Sequence, residues 1–183
     1  NLNISYVYSV TPDVFIQSTV NRASEILSKN ISKEDKITQL KVIAKDTVDI
    51  KAVGYYSLGS IRKNLDNNQL IKYLNLFEEY FLKSFSSRLS EYTNPKIEVY
   101  GKKVLNENYT MVNSMLIATS DRPEVKIDWR VYTKNPENPL IRDLIIEGLS
   151  LARTQKEEFA SILNSNNKDI NILFNILEKF SNN

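Results

Sequence analysis

The chain has 183 residues, of which 42% are hydrophobic and 25% charged, and its formal net charge is +2. That length is enough for one domain with a buried core, and the composition is neither that of a disordered chain nor that of a coiled coil. Basic and acidic residues are interspersed with no tract of five or more like charges, which argues against nucleic-acid binding and against a polybasic membrane patch.

The first helix signal is Thr11-Pro12-Asp13, a residue able to cap free amides followed by a proline suited to a first turn. Ile16, Val20, Ala23 and Leu27 then recur at three- and four-residue steps, which places them on one helix face. Ser32-Lys33-Glu34-Asp35 reads as a second cap, and Ile37, Leu40, Ala44 and Val48 form the next stripe, with Gly54 and Gly59 as punctuation beyond it. Asp66 and Gln69 have the spacing of a capping box, so a long helix is expected to start there. It carries Leu70, Leu74, Phe77, Phe81, Phe85 and Leu89, and Ile71, Tyr73, Tyr80 and Leu82 widen an unusually aromatic arc. The plain reading of that stripe is a core helix against a sheet.

From Lys96 the apolar period becomes two. Segments 97–105 and 109–119 read as strands joined by Asn106-Glu107-Asn108, followed by strands over 125–134 and 139–147 around the turn Asn135-Pro136-Glu137-Asn138. In the third strand Val125, Ile127, Trp129 and Val131 face one way, and Lys126, Asp128, Arg130 and Tyr132 the other. A four-residue turn would set Lys134 opposite Pro139, Arg130 opposite Asp143, Lys126 opposite Glu147, Trp129 opposite Leu144 and Ile127 opposite Ile146. That register matches charge on one face and apolar side chains on the other; a one-residue bulge would disturb it. Helical spacing returns with Ala152, Phe159, Ile162 and Leu163, and again with Ile170, Leu173, Leu177 and Phe180. The expected fold is therefore α+β, one domain over 1–183: helices within 12–92, a four-stranded antiparallel meander over 96–147, and helices over 151–181, packed around an apolar crevice.

Chemical motifs are scarce. Cysteine and histidine are both absent, which removes disulfides, thiol nucleophiles, most zinc and haem ligation and the commonest proton-transfer group near neutral pH. With four glycines in the chain there is no Gly-rich phosphate loop. Ser150 follows Glu147-Gly148-Leu149 but lacks the second glycine and the histidine base of a nucleophile elbow, so it reads as a helix cap. Asp128, Asp143 and Glu147 read as members of strand ion pairs rather than as catalytic or metal-binding carboxylates. No metal or cofactor is expected. No stretch approaches the roughly 20 apolar residues of a membrane-spanning helix, and a chain starting at Asn1 fits a mature protein relieved of its targeting segment as well as a truncated one.

The run Asp143-Leu144-Ile145-Ile146-Glu147-Gly148-Leu149-Ser150-Leu151-Ala152-Arg153-Thr154-Gln155, followed by Phe159 and Ile162-Leu163, resembles the signature of the MlaC (toluene-tolerance auxiliary) family. Leu58-Gly59, Gln69, Tyr73, Phe77, Leu82, Phe85, Leu89 and Tyr92 follow the spacing of that family's helices. The resemblance spans roughly Asp49 to Leu163 and departs at Ile50, Tyr73, Trp129 and Leu140, all exchanges among apolar and aromatic residues. It implies a monomeric, non-catalytic carrier in the periplasm of a Gram-negative bacterium, with phospholipid as its ligand. Its implied partners are the MCE-type ring of an inner-membrane ABC transporter and an outer-membrane lipoprotein complex.

For such a carrier the candidate tail-facing wall is Phe77, Phe81 and Phe85 from the long helix, and Met115, Ile117, Ile127, Trp129, Leu144 and Ile146 from the sheet. Leu149, Leu151 and Phe159 extend it beyond the last strand. Two other classes stay open on the residues alone: an α+β enzyme using Asp128 and Tyr132 as acid and base, and a module that binds only proteins through this scaffold.

Overall fold

A computed structural model describes residues 10–183. Helices α1 (Pro12–Ser28), α2 (Lys33–Thr47) and α3 (Ile50–Leu58) come first, then a 3-10 turn over Gly59–Asn64 and the long helix α4 (Asn67–Leu89). Five strands follow, β1 (Ile97–Val104), β2 (Tyr109–Leu116), β3 (Val125–Tyr132), β4 (Leu140–Ile146) and the two-residue β5 (Leu149–Ser150), and the chain closes with α5 (Leu151–Ser165) and α6 (Ile170–Asn182). The strands lie in one antiparallel sheet in the order β1-β2-β3-β4-β5. The fold is α+β as expected, with β5 adding a short fifth strand to the expected four.

Local chemistry sets most boundaries. Ser32 accepts from the Asp35 amide at the start of α2, and Asp66 and Gln69 form the reciprocal capping box of α4, at 2.8 and 3.0 Å. Thr11 holds the N-cap position of α1, but its side chain makes no capping bond. Gly59, at φ +66°, closes α3, a backbone conformation that L side chains rarely adopt. Gly54, expected as punctuation, instead lies inside α3. A Cβ there would sit 2.6 Å from Cδ1 of Phe77, so a glycine is what lets the ring reach the α3 backbone.

The β3–β4 register pairs Arg130 with Asp143, Trp129 with Leu144 and Ile127 with Ile146, as expected. A bulge at Arg142 then slips the pairing by one, so Val131 faces Ile141 and Tyr132 faces Leu140 on the way to the turn. The ion pairs expected from this register do not form. Asp143 Oδ1 accepts from the Ala152 amide at 3.0 Å, and its Oδ2 accepts from the Ser150 hydroxyl, so the carboxylate is used at the start of α5. Glu147 accepts from the Lys126 amide at 2.6 Å, and Asp128 lies 3.6 Å from Lys126 on its own strand and accepts from Asn113 at 2.9 Å. Ser150 caps α5 by accepting from the Arg153 amide.

Candidate functional site

The buried apolar residues form two clusters. The helical cluster gathers Val53, Leu58, Tyr73, Phe77, Phe159 and Leu173 from α3, α4, α5 and α6, among others. The sheet cluster packs Ile16 and Val20 of α1 against Val112, Ile127, Trp129 and Ile141. Val48, in the link between α2 and α3, packs against both. The long helix α4 rests on α2, α3 and α6 rather than on a strand, so its aromatic stripe belongs to a helix-on-helix layer, not to the helix-on-sheet packing expected of it.

Phe77 anchors the helical layer. Its ring meets Phe159 edge-on at 6.2 Å and lies 5.9 Å from Tyr73 and 6.1 Å from Phe81. The Tyr73 hydroxyl donates to the Gly54 carbonyl at 2.8 Å. Burial pushes the Tyr73 phenol well above its ordinary value, and it raises Tyr80 too. In the sheet cluster the Trp129 indole N–H donates to Ser114 Oγ at 2.8 Å, and that hydroxyl donates to the Ile127 carbonyl at 2.7 Å. The only polar group on the indole is thereby satisfied inside the core.

Each cluster carries apolar, half-buried side chains at its edge. Phe81 is on the edge of the helical cluster, and Phe85 stacks on it at 5.5 Å with the ring planes 9° apart. Leu144 and Ile146 of β4 lie on the edge of the sheet cluster, and Leu151 opens α5 nearby in sequence, also half-buried. The two layers are joined along β4. The Asp49 amide donates to the Ile141 carbonyl at 2.9 Å, Arg142 pairs with Asp49 at 3.0 Å, and Asp143 holds the start of α5.

The candidate wall residues therefore divide by depth. Phe77 and Phe159, at 1% and 2% exposure, are interior to the helical cluster, and Ile127 and Trp129, both at 7%, are interior to the sheet cluster. Phe81, Phe85, Leu144, Ile146 and Leu151 are half-buried. Met115 was expected on the apolar face; it pairs with Glu98 and Lys126 and so lies on the opposite face of the sheet from Ile127. Ile117 lies past the end of β2, half-buried, with its amide bonded to the Lys96 carbonyl. Leu149 on β5 is 59% exposed.

Sequence reasoning missed a cation–aromatic stack on the outer face of the sheet. The Arg142 guanidinium lies 3.7 Å from the Tyr132 ring centre and Arg130 4.2 Å from that of Tyr109, while Arg142 also donates to the Tyr109 hydroxyl at 2.8 Å. The bulge that turns Arg142 toward Asp49 has no glycine or proline to mark it. Tyr132 is covered by this stack and Asp128 is bonded to Asn113, so the acid and base considered for an enzyme are both engaged in packing the outer face.

The family model described as MlaC protein matches residues 17–179, from within α1 almost to the end of α6. Among solved structures the chain is similar to a phospholipid-binding protein from Ralstonia solanacearum, determined in complex with a phospholipid. The TM-score is 0.78 at 17% sequence identity, covering 94% of this chain and 97% of that one. At that identity the likeness is one of fold, and it extends over both the helical layer and the sheet. With most of its length matched by the family model, the chain belongs to the MlaC family.

Proposed function

We propose that this protein is a non-catalytic phospholipid carrier that holds acyl tails between its helical layer and its sheet and leaves the head group in water. The observation that carries the reading is the divided core, with half-buried Phe81 at the edge of the helical cluster and half-buried Leu144 and Ile146 at the edge of the sheet cluster, which we take as the margins of a seam between the two layers. The relative of like fold that was determined with a phospholipid supports it.

The energetics are favourable. Each methylene moved out of water contributes about 0.8 kcal/mol, so ten inserted methylenes release roughly 8 kcal/mol. That is comparable to the whole stability of an ordinary domain, about 5–15 kcal/mol. Tail insertion can thus offset parting two apolar margins, because their contacts are replaced by contacts with the tails rather than with water. The ties along β4 keep the layers attached while the seam widens. Tail burial of this kind recognises hydrocarbon and not the head group, so head-group selectivity is low.

The setting we propose is the periplasm, with the protein acting as a monomer. It takes phospholipid between an outer-membrane lipoprotein complex and the MCE-type ring of an inner-membrane ABC transporter. The test is native mass spectrometry of gently purified protein, followed by organic extraction and lipid identification. Near-stoichiometric phospholipid of mixed head groups is the expected result. Protein that is empty and takes up none from vesicles overturns the carrier reading and leaves a module that binds proteins.

A further inference from the structure

A second surface, away from the seam, has the chemistry of a lipid-surface contact. The segment from Ile50 to Leu65 carries Lys51, Arg62 and Lys63 and no carboxylate. Folding adds Lys156 from α5 and Lys168 from the turn before α6, which together line a cavity of about 210 Å³ with Ser60, Asn64 and Asn164. Among the described residues none of these five cations forms an ion pair. The carboxylates nearest in sequence are engaged elsewhere: Asp49 with Arg142, Asp66 on the Gln69 amide, Asp169 on the Asn171 amide and Glu157 with Arg153.

Aromatic side chains take the place of counter-ions. Arg62 lies 5.0 Å from the centre of the Tyr55 ring and Lys156 4.9 Å from that of Tyr56. The two tyrosines are themselves 43% and 41% exposed. Stacking on a ring holds a cation in place without neutralising it, so the charge stays available to an outside anion. Exposed tyrosine beside unpaired lysine and arginine suits a membrane interface, where the ring enters the head-group layer and the cation meets phosphate. The cavity is smaller than the roughly 300–1,000 Å³ of a pocket for a drug-sized ligand, and the amide, hydroxyl and ammonium groups around it offer hydrogen-bond donors to an anion.

We propose that this face, formed by α3, the Gly59–Asn64 turn and the α5–α6 end, docks on an anionic phospholipid surface, with one head-group phosphate entering the cavity between Lys156 and Lys168. Docking here is a surface contact and does not depend on tails entering the seam. Carriage and docking can therefore fail separately.

The experiment is co-sedimentation of the full chain with phosphatidylcholine vesicles with and without phosphatidylglycerol, across a salt series, with bound lipid measured on the same samples. Binding is expected to vesicles containing phosphatidylglycerol only and to weaken as salt rises. Each neutralised cation should lower affinity about fivefold, so the combined R62Q/K156Q/K168Q variant should bind roughly a hundredfold more weakly. The K103Q/K134Q control, in β1 and the β3–β4 turn, should bind as the parent does, and equal melting temperatures certify that both variants fold. Equal binding by parent and triple variant, or no binding to anionic vesicles, overturns the proposal. So does a parent chain that ignores vesicles while an acidic protein retains it through these residues.

Discussion

Substituting Gly54 by alanine tests whether the helical layer is held as tightly as its geometry implies. On propensity alone the change should stabilise α3 by up to about 1 kcal/mol, because glycine is a poor interior helix residue. The structure reverses the sign. The new methyl would lie 2.6 Å from Phe77 Cδ1 and 3.1 Å from Cγ, well inside contact distance. Phe77 cannot yield cheaply, since it is 1% exposed and has Tyr73, Phe81 and Phe159 around it. Overpacking of this kind costs about 1–3 kcal/mol, so set against the propensity gain the net expectation is a loss of up to about 2 kcal/mol in urea unfolding. A smaller side chain at position 77 should relieve the clash. In the Phe77→Leu background the Gly54→Ala change should then cost much less, a coupling of about 1 kcal/mol or more in the double-mutant cycle. A stabilising Gly54→Ala, or two effects that add within about 0.3–0.5 kcal/mol, would refute this account of why a glycine sits mid-helix.

Other expectations rest on single contacts. Asp143→Ala removes two bonds at the start of α5 and should cost about 2 kcal/mol, whereas Arg130→Gln, whose partner is a ring and not Asp143, should stay within about 0.5 kcal/mol; urea midpoints decide it. Ser114→Ala leaves the Trp129 N–H buried without its acceptor and should cost about 1–3 kcal/mol, with a change in the near-ultraviolet dichroism of the tryptophan. Stability should fall with alkali. The folded Tyr73 and Tyr80 hydroxyls have raised pKa values, so the unfolded chain loses those protons first, and stability present below the ordinary phenol value of about 10 is lost as pH rises past it. A pH-independent unfolding midpoint between neutral pH and that range, followed by no decline, would contradict it. Ile146→Glu, at a half-buried margin, should abolish lipid retention with the fold kept, while Trp129→Glu, at 7% exposure inside the sheet cluster, should unfold the domain; lipid content and thermal melts separate the two.

Local signals carried most of the architecture. The Ser32 cap, the Asp66–Gln69 box and the alternation of β3 are short-range patterns with short-range causes, and each element starts where they indicate. The β3–β4 pairing was legible over Ile127–Arg130 because one register satisfies both faces, but the slip at Arg142 was not, since it depends on Asp49 from a distant loop. The same distance hides Gly54: a mid-helix glycine reads as a break until Phe77 is placed over it. Met115 falls on the other face from the one expected because β2 carries apolar residues at both parities, Met111 and Met115 on one and Val112 and Leu116 on the other, and only its pairing with β3 decides which set is interior. Depth within the candidate wall was illegible too. Phe77 and Phe85 sit on one stripe of α4, yet only the packing of α3 and α5 decides that the first is interior and the second half-buried. The basic face around Tyr55 and Tyr56 forms no run in the chain, because its cations come from four segments that only folding brings together.

The central claim is that acyl tails lie between the sheet and the helices, and the chain's single tryptophan, Trp129, stands on the sheet side of that division. The direct measurement is Trp129 fluorescence in protein loaded with phospholipids brominated along the acyl chain, with loading verified by extraction. The account predicts strong quenching relative to the same lipids without bromine, greatest when the bromine lies partway down the chain. Full loading with unchanged emission at every bromine position would place the tails elsewhere and contradict it.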